Sequence, residues 1–147
     1  ALKRVCRYLA EKVVSDGERI TKVVEVKVEG ARDDATAERV ARSIGNSLLV
    51  KTSWYGSDPN WGRLVNAAGY AKAGLEFDKI DLFYDDFAAL RQGEPQSRNR
   101  EKWRQTVERD HFSIRMNLNQ GEGACQVLSS DLTEGYVDFN KSEATGP

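Results

Sequence analysis

The sequence SLLVKTSWYGSDPNWGRLVNAAGYA, residues 47–71, decides how the rest of the chain is read. It reads as a strand, a tight turn and a helix. Leu48, Leu49 and Val50, followed by Thr52, Trp54 and Tyr55, are aliphatic, β-branched or aromatic, as strand formers are. Gly56-Ser57 breaks the strand. Asp58 is placed to cap a helix, and Pro59 suits the first helical position, where no amide donor is needed. Such a cap contributes about 1 kcal/mol. Trp61, Leu64, Val65 and Ala68 then recur at helical spacing. The small residues Ala67, Ala68, Gly69, Ala71 and Ala73 let this backbone lie close to a neighbour. At the positive end of the helix, Asn60, Trp61 and Arg63 either start a packed core helix or hold an anionic group.

Upstream, residues 2–14 form a helix whose apolar stripe is Leu2, Val5, Cys6, Leu9 and Val13. Ser15-Asp16-Gly17 ends it with a turn signal. A strand follows over residues 20–29, with Val24, Val26 and Val28 alternating with Glu25, Lys27 and Glu29. Asp33 or Asp34 caps a second helix with the stripe Ala37, Val40, Ala41 and Ile44, closed by Gly45-Asn46. The chain opens inside a helical pattern without a capping residue, so it is read as a piece of a longer polypeptide.

Downstream, Ile80, Leu82 and Tyr84 begin a β-rich half, and residues 87–91 form a hairpin partner. Residues 100–109 make a short helix on Trp103 and Val107. Phe112, Ile114, Met116 and Leu118 alternate with polar residues in a clear strand. Residues 120–123 turn the chain, and residues 124–129 return as the next strand. A last strand is expected around residues 136–139, before a polar tail. The order is helix–strand–helix–strand–helix followed by a β-rich half, an α+β (α/β layered) class. Residues 1–30 are expected to complete a domain shared with segments outside this chain, and residues 31–147 to form the second α/β domain.

Composition narrows the function. The chain has 147 residues, 39% hydrophobic and 31% charged, with 22 basic against 23 acidic groups. That balance argues against a dedicated nucleic-acid binder, and no apolar run approaches the ~20 residues of a membrane span. The two cysteines, Cys6 and Cys125, lack partners at metal-ligand spacing, so neither a metal nor a cofactor is implied and a reducing cytoplasm is the default. The single histidine, His111, opens an amphipathic strand on its polar face and reads as solvated rather than catalytic. Arg98, Arg100, Lys102 and Arg104 around Trp103 read as a solvated face. Glu18 sits in a helix-to-strand turn, and Asn140, with Thr145 five residues on, in a polar tail. By themselves these are surface groups.

Together, residues 16–22 (DGERITK), 49–52 (LVKT), 57–63 (SDPNWGR) and 131–133 (DLT) stand in an order and at separations that resemble the bifunctional ornithine acetyltransferase/glutamate N-acetyltransferase family of arginine biosynthesis. The match covers almost the whole chain and corresponds to the C-terminal part of that family's β chain. The family has small residues more often where Arg19 and Ile20 stand, and usually a cysteine where Ser130 stands.

The resemblance implies a precursor that cuts itself before a threonine. The resulting α and β chains stay together, as an α2β2 heterotetramer. The new N-terminal threonine is the nucleophile, and its own amino group can serve as base. It takes acetyl from N-acetylornithine and passes it to glutamate; some members accept acetyl-CoA. The resemblance places that threonine upstream of Ala1, so no catalytic residue is expected here and the chain alone is expected to be inactive. What this chain would supply is substrate binding by Glu18, Asn140 and Thr145. A carboxylate such as Glu18 can pair with an ornithine ammonium, Asn140 offers a donor and an acceptor, and Thr145 a hydroxyl. The alternatives are a related self-cleaving amidase or aminopeptidase, and a non-catalytic assembly module.

Overall fold

A computed structural model describes residues 2–144, the side chain of Lys3 excepted. Its centre is strand β1 (Val23–Ala31), which lies between β5 (His111–Asn117) and β6 (Gly123–Ser130). β1 runs parallel to β5, with Val26 opposite Ile114, and antiparallel to β6, with Val26 opposite Val127. β2 (Asp81–Tyr84), β3 (Phe87–Arg91) and the two-residue β4 (Glu94–Pro95) extend the sheet beyond β5, giving the order β4-β3-β2-β5-β1-β6. The mixed helix-and-sheet layering is the α+β class that the sequence pattern predicts.

Period-two alternation decides which face is covered. Val24, Val26 and Val28 point to one side with Phe112, Ile114 and Met116, and all six are buried. Helix α2 (Asp34–Gly45) packs on that side through Val40, Ala41 and Ile44. Each fully buried aliphatic side chain there contributes about 1.5–3 kcal/mol. Of the two aspartates expected to cap α2, Asp33 does so, its carboxylate accepting from the Thr36 amide at 2.6 Å. Helix α1 (Leu2–Ser15) lies on the opposite side, tied to the sheet by an Arg7–Glu25 ion pair. Its Leu2, Val5, Leu9 and Val13 are exposed.

Three local readings are corrected. Residues 48–55, read as a strand, form helix α3 (Leu48–Tyr55). Their composition favours a strand, but the buried positions are Val50, Ser53 and Trp54, a helical spacing, while Leu48 and Leu49 face outward. Ser47 caps this helix, and the Thr52 hydroxyl donates back to the Leu48 carbonyl at 2.9 Å. The next helix, α4, is Trp61–Gly69, and Asn60 caps it rather than Asp58. The Asp58 carboxylate instead accepts from the Asn60 side-chain amide at 3.1 Å. Residues 136–139, read as a strand, lie within the terminal helix α6 (Glu134–Ala144). The helix predicted over residues 100–109 is present as α5 (Arg100–Val107).

β6 is a strand as predicted, but it is not the hairpin partner of β5. It passes over to pair with β1. The connection runs so close to the end of β1 that a Cβ on Gly121 would sit 2.4 Å from the Ala31 carbonyl oxygen. A Cβ on Gly123 would sit 2.2 Å from the Asp33 carbonyl carbon. Gly123→Ala is therefore expected to cost about 1–3 kcal/mol of overpacking strain, seen as a lower urea midpoint of the whole protein that contains this chain. An unchanged midpoint would mean that this crossing is not tight.

Candidate functional site

Asp131 follows β6 and is 2% exposed. Its carboxylate accepts from the Thr21 amide at 2.9 Å, the Lys22 amide at 3.1 Å and the Thr21 hydroxyl. A buried carboxylate is tolerated only with such donors around it. Two residues on, the Thr133 hydroxyl donates to the Arg19 carbonyl at 2.7 Å and accepts from the Tyr136 amide at 3.0 Å. It thereby caps α6 and ties that helix to the turn before β1. The Arg19 guanidinium lies 6.0 Å from the Phe139 ring centre, a cation–π contact across the same junction.

This network fixes where the candidate substrate-binding residues stand. Glu18 is exposed on the turn that Asp131 and Thr133 hold. Asn140 is exposed on α6, its side-chain amide donating to the Tyr136 carbonyl at 2.8 Å. The turn of one and the helix of the other are thus brought to one end of the sheet, and Glu18 and Asn140 do not hydrogen-bond to each other. Thr145 lies outside the described residues. Arg19, where the family has a small residue more often, takes a left-handed backbone with φ of 57°. A small residue, glycine above all, adopts that geometry at less cost.

Beneath the turn is Lys22, 6% exposed. Its ammonium donates to the Trp54 carbonyl at 2.8 Å, the Ser57 hydroxyl at 2.6 Å and the Val107 carbonyl at 2.5 Å. Burial pushes this ammonium below its ordinary value, opposed by Asp131, Asp110 and Glu108. Lys51, half-buried, is lowered in the same way, with Asp131 opposing, and donates to the Ser130 hydroxyl at 3.3 Å. Composition and spacing pointed to none of Lys22, Lys51, Asp131 and Thr133. Their only signal was membership of the resembling motifs.

His111 is exposed at the start of β5, consistent with a solvated role. Lys102 of the basic cluster stacks on the Phe87 ring at 5.0 Å, while Trp103 is buried. Both cysteines are free. Among the described residues no group of His, Cys, Asp and Glu could hold a metal ion, and no helix is long and apolar enough to cross a membrane.

The geometry defines an α+β chain built on a mixed sheet, and a solved protein shares it. The chain is similar to the arginine biosynthesis bifunctional protein ArgJ of Bacillus halodurans, with a TM-score of 0.91 and 37% identity over 96% of this chain and 67% of that one. It is 40% identical over 145 residues to the protein of that name from Geobacter sulfurreducens, and 37% identical over 145 residues to that from Geobacillus stearothermophilus. The family model described as the ArgJ family matches residues 1–145. The chain belongs to the ArgJ family. It covers 98% and 99% of itself in those two matches but only 37% and 35% of the relatives, about a third of their length.

Asp131→Asn replaces an acceptor of three hydrogen bonds by an amide that must turn one donor toward another. The expected loss is about 1.5–3 kcal/mol, with faster hydrogen exchange at the Thr21 and Lys22 amides. Unaltered exchange at both amides would show that the turn is held by something else.

Proposed function

We propose that this chain is the substrate-holding part of an acetyltransferase that moves acetyl from N-acetylornithine to glutamate in arginine biosynthesis. The observation that carries the reading is the Asp131–Thr133 network, which presents the Glu18 turn and the Asn140 helix at the same end of the sheet. Membership of the ArgJ family and the name its relatives carry, arginine biosynthesis bifunctional protein, support it.

In this reading a threonine on a segment outside the chain attacks the acetyl carbonyl, and its own amino group takes the hydroxyl proton. Ornithine leaves, and the amine of glutamate then attacks the acyl-threonine to give N-acetylglutamate. Glu18 pairs with an ammonium of ornithine, and Asn140 orients the amino-acid head group, with Thr145 adding a hydroxyl. Acetyl-CoA is a further acetyl donor in this scheme, and no cofactor takes part. The exposed stripe of α1, Leu2, Val5, Leu9 and Val13, meets the rest of the β chain or a companion α chain, within a cytoplasmic α2β2 assembly.

Glu18→Gln in the complete enzyme keeps the shape of the side chain and removes its charge. The expected effect is a loss of about 1.5–3 kcal/mol in kcat/KM for N-acetylornithine, with glutamate as acceptor much less affected. Equal kinetics in the two proteins would remove Glu18 from the site. Release of free acetate at the rate of ornithine formation, without N-acetylglutamate, would favour the amidase alternative.

A further inference from the structure

The turn that carries Glu18 and the helix that carries Asn140 are joined by more than a cap. Helix α6 has no buried residue, and its Tyr136 and Val137 are exposed, so packing does little to aim it. The Thr133 hydroxyl fixes its start, donating to the Arg19 carbonyl and accepting from the Tyr136 amide. A cap holds one end only. Asn140 stands well beyond it, roughly 10 Å along the helix axis, so a tilt of about 10° at the cap would carry it about 2 Å. A shift of that size breaks a hydrogen bond.

The Arg19 side chain supplies a second fixing point. A Cβ on Gly135 would lie 3.5 Å from the Arg19 Cβ and 3.9 Å from its Cγ, so the stem of Arg19 runs against the first turn of α6. One turn further along the same helix face, the guanidinium meets the half-buried Phe139 ring, 6.0 Å from its centre. The guanidinium makes no ion pair with another described residue, so this ring is its partner. Phe139 is the chain neighbour of Asn140. The Arg19 backbone is left-handed, with φ of 57°, a conformation that costs a residue with a Cβ more than it costs glycine. Arg19 holds it with its stem laid on α6, a contact glycine could not make.

We propose that Arg19 is a positioning residue. Its side chain clips α6 to the Glu18 turn along Gly135 and Phe139, and so sets where Asn140 stands when substrate binds. Arg19 itself touches no substrate in this scheme. The part given to Asn140 rests on the acetyl-transfer reading; the clip does not.

The test uses the intact protein that contains this chain, with Arg19→Gly, Phe139→Leu, the two combined, and Arg19→Lys. Arg19→Gly relieves the left-handed backbone, so a merely local role predicts an equally or more stable protein with α6 unchanged. The clip predicts that hydrogen exchange at the amides of residues 138–141 quickens about 3-fold, the scale of one exposed cation–π contact. KM for N-acetylornithine is expected to rise about 3-fold, with kcat changed less than about 2-fold. Phe139→Leu should do the same while leaving the charge beside Glu18 in place, and the double variant no more than either alone. Arg19→Lys, which keeps a cation for the ring, should lie nearer the wild type than Arg19→Gly does.

Wild-type exchange in Arg19→Gly would overturn the proposal, and so would single effects that add in the double variant. A raised KM in Arg19→Gly without one in Phe139→Leu would assign the effect to charge and overturn it too. Asn140→Ala separates this failure from that of the reading beneath it. If Asn140→Ala raises KM and the Arg19 and Phe139 variants do not, the clip has no part in binding and the proposal falls alone. If KM moves in none of them, the place of Asn140 in the site falls with it.

Discussion

The interior of this chain is organised around one cation. The Lys22 ammonium stands where two helices end, taking the Trp54 carbonyl near the close of α3 and the Val107 carbonyl at the close of α5. Both are negative helix ends with carbonyls that lack a partner in their own helix, and a cation satisfies the hydrogen bonds and the dipoles at once. The third donor reaches Ser57, in the loop between α3 and α4. A charge this buried is tolerated because all three donors are used. An aliphatic side chain there would leave the Val107 carbonyl buried without a donor, while the Trp54 carbonyl would keep only the Ser57 amide, at 3.0 Å. A lysine just before β1 thus sets the distance from the sheet to three pieces of chain.

Asp131 completes that arrangement from the other side. It opposes the desolvation of Lys22 through its charge and holds the backbone of residues 21 and 22 through its oxygens. The end of β6 is thereby fastened to the beginning of β1, and Thr133, two residues later, fastens α6 to the same place. The turn that carries Glu18 and the helix that carries Asn140 both stand at this end of the sheet because each is clamped to the same junction. The two side chains face water while the groups that position their elements stay out of it.

Much of the layering was legible in the sequence. The alternation of Phe112, Ile114 and Met116 gave β5, and Asp33 with the Ala37–Val40–Ala41–Ile44 stripe gave α2, because each signal is local and periodic. Residues 48–55 misled because their types favour a strand while their buried positions follow a helix, and burial is set by the neighbours in space. Tyr136 and Val137 misled for a like reason: the Thr133 hydroxyl, held by a carbonyl more than 100 residues earlier, starts a helix there. Alternation names the faces of β6 but not its neighbour, so the pairing with β1 instead of β5 was hidden. The candidate site was legible only through resemblance. Glu18 and Asn140 carry no local mark of function, and the contacts of Asp131 join residues no sequence window contains.

The placing of β1 between β5 and β6 has a consequence for how the protein is made. Both partners of the central strand lie roughly 80 or more residues downstream of it. At a synthesis rate of about 5–20 residues per second, β1 leaves the ribosome some 4–16 s before its first partner strand exists. For that time Val24, Val26 and Val28 stand on a strand with two open edges, the kind of segment that pairs with other chains. The alternating Glu25, Lys27 and Glu29 put charge on the same strand and oppose such pairing. These residues therefore serve the unfinished chain as well as the finished sheet, and a cell short of chaperones would feel their loss first as aggregation on the ribosome.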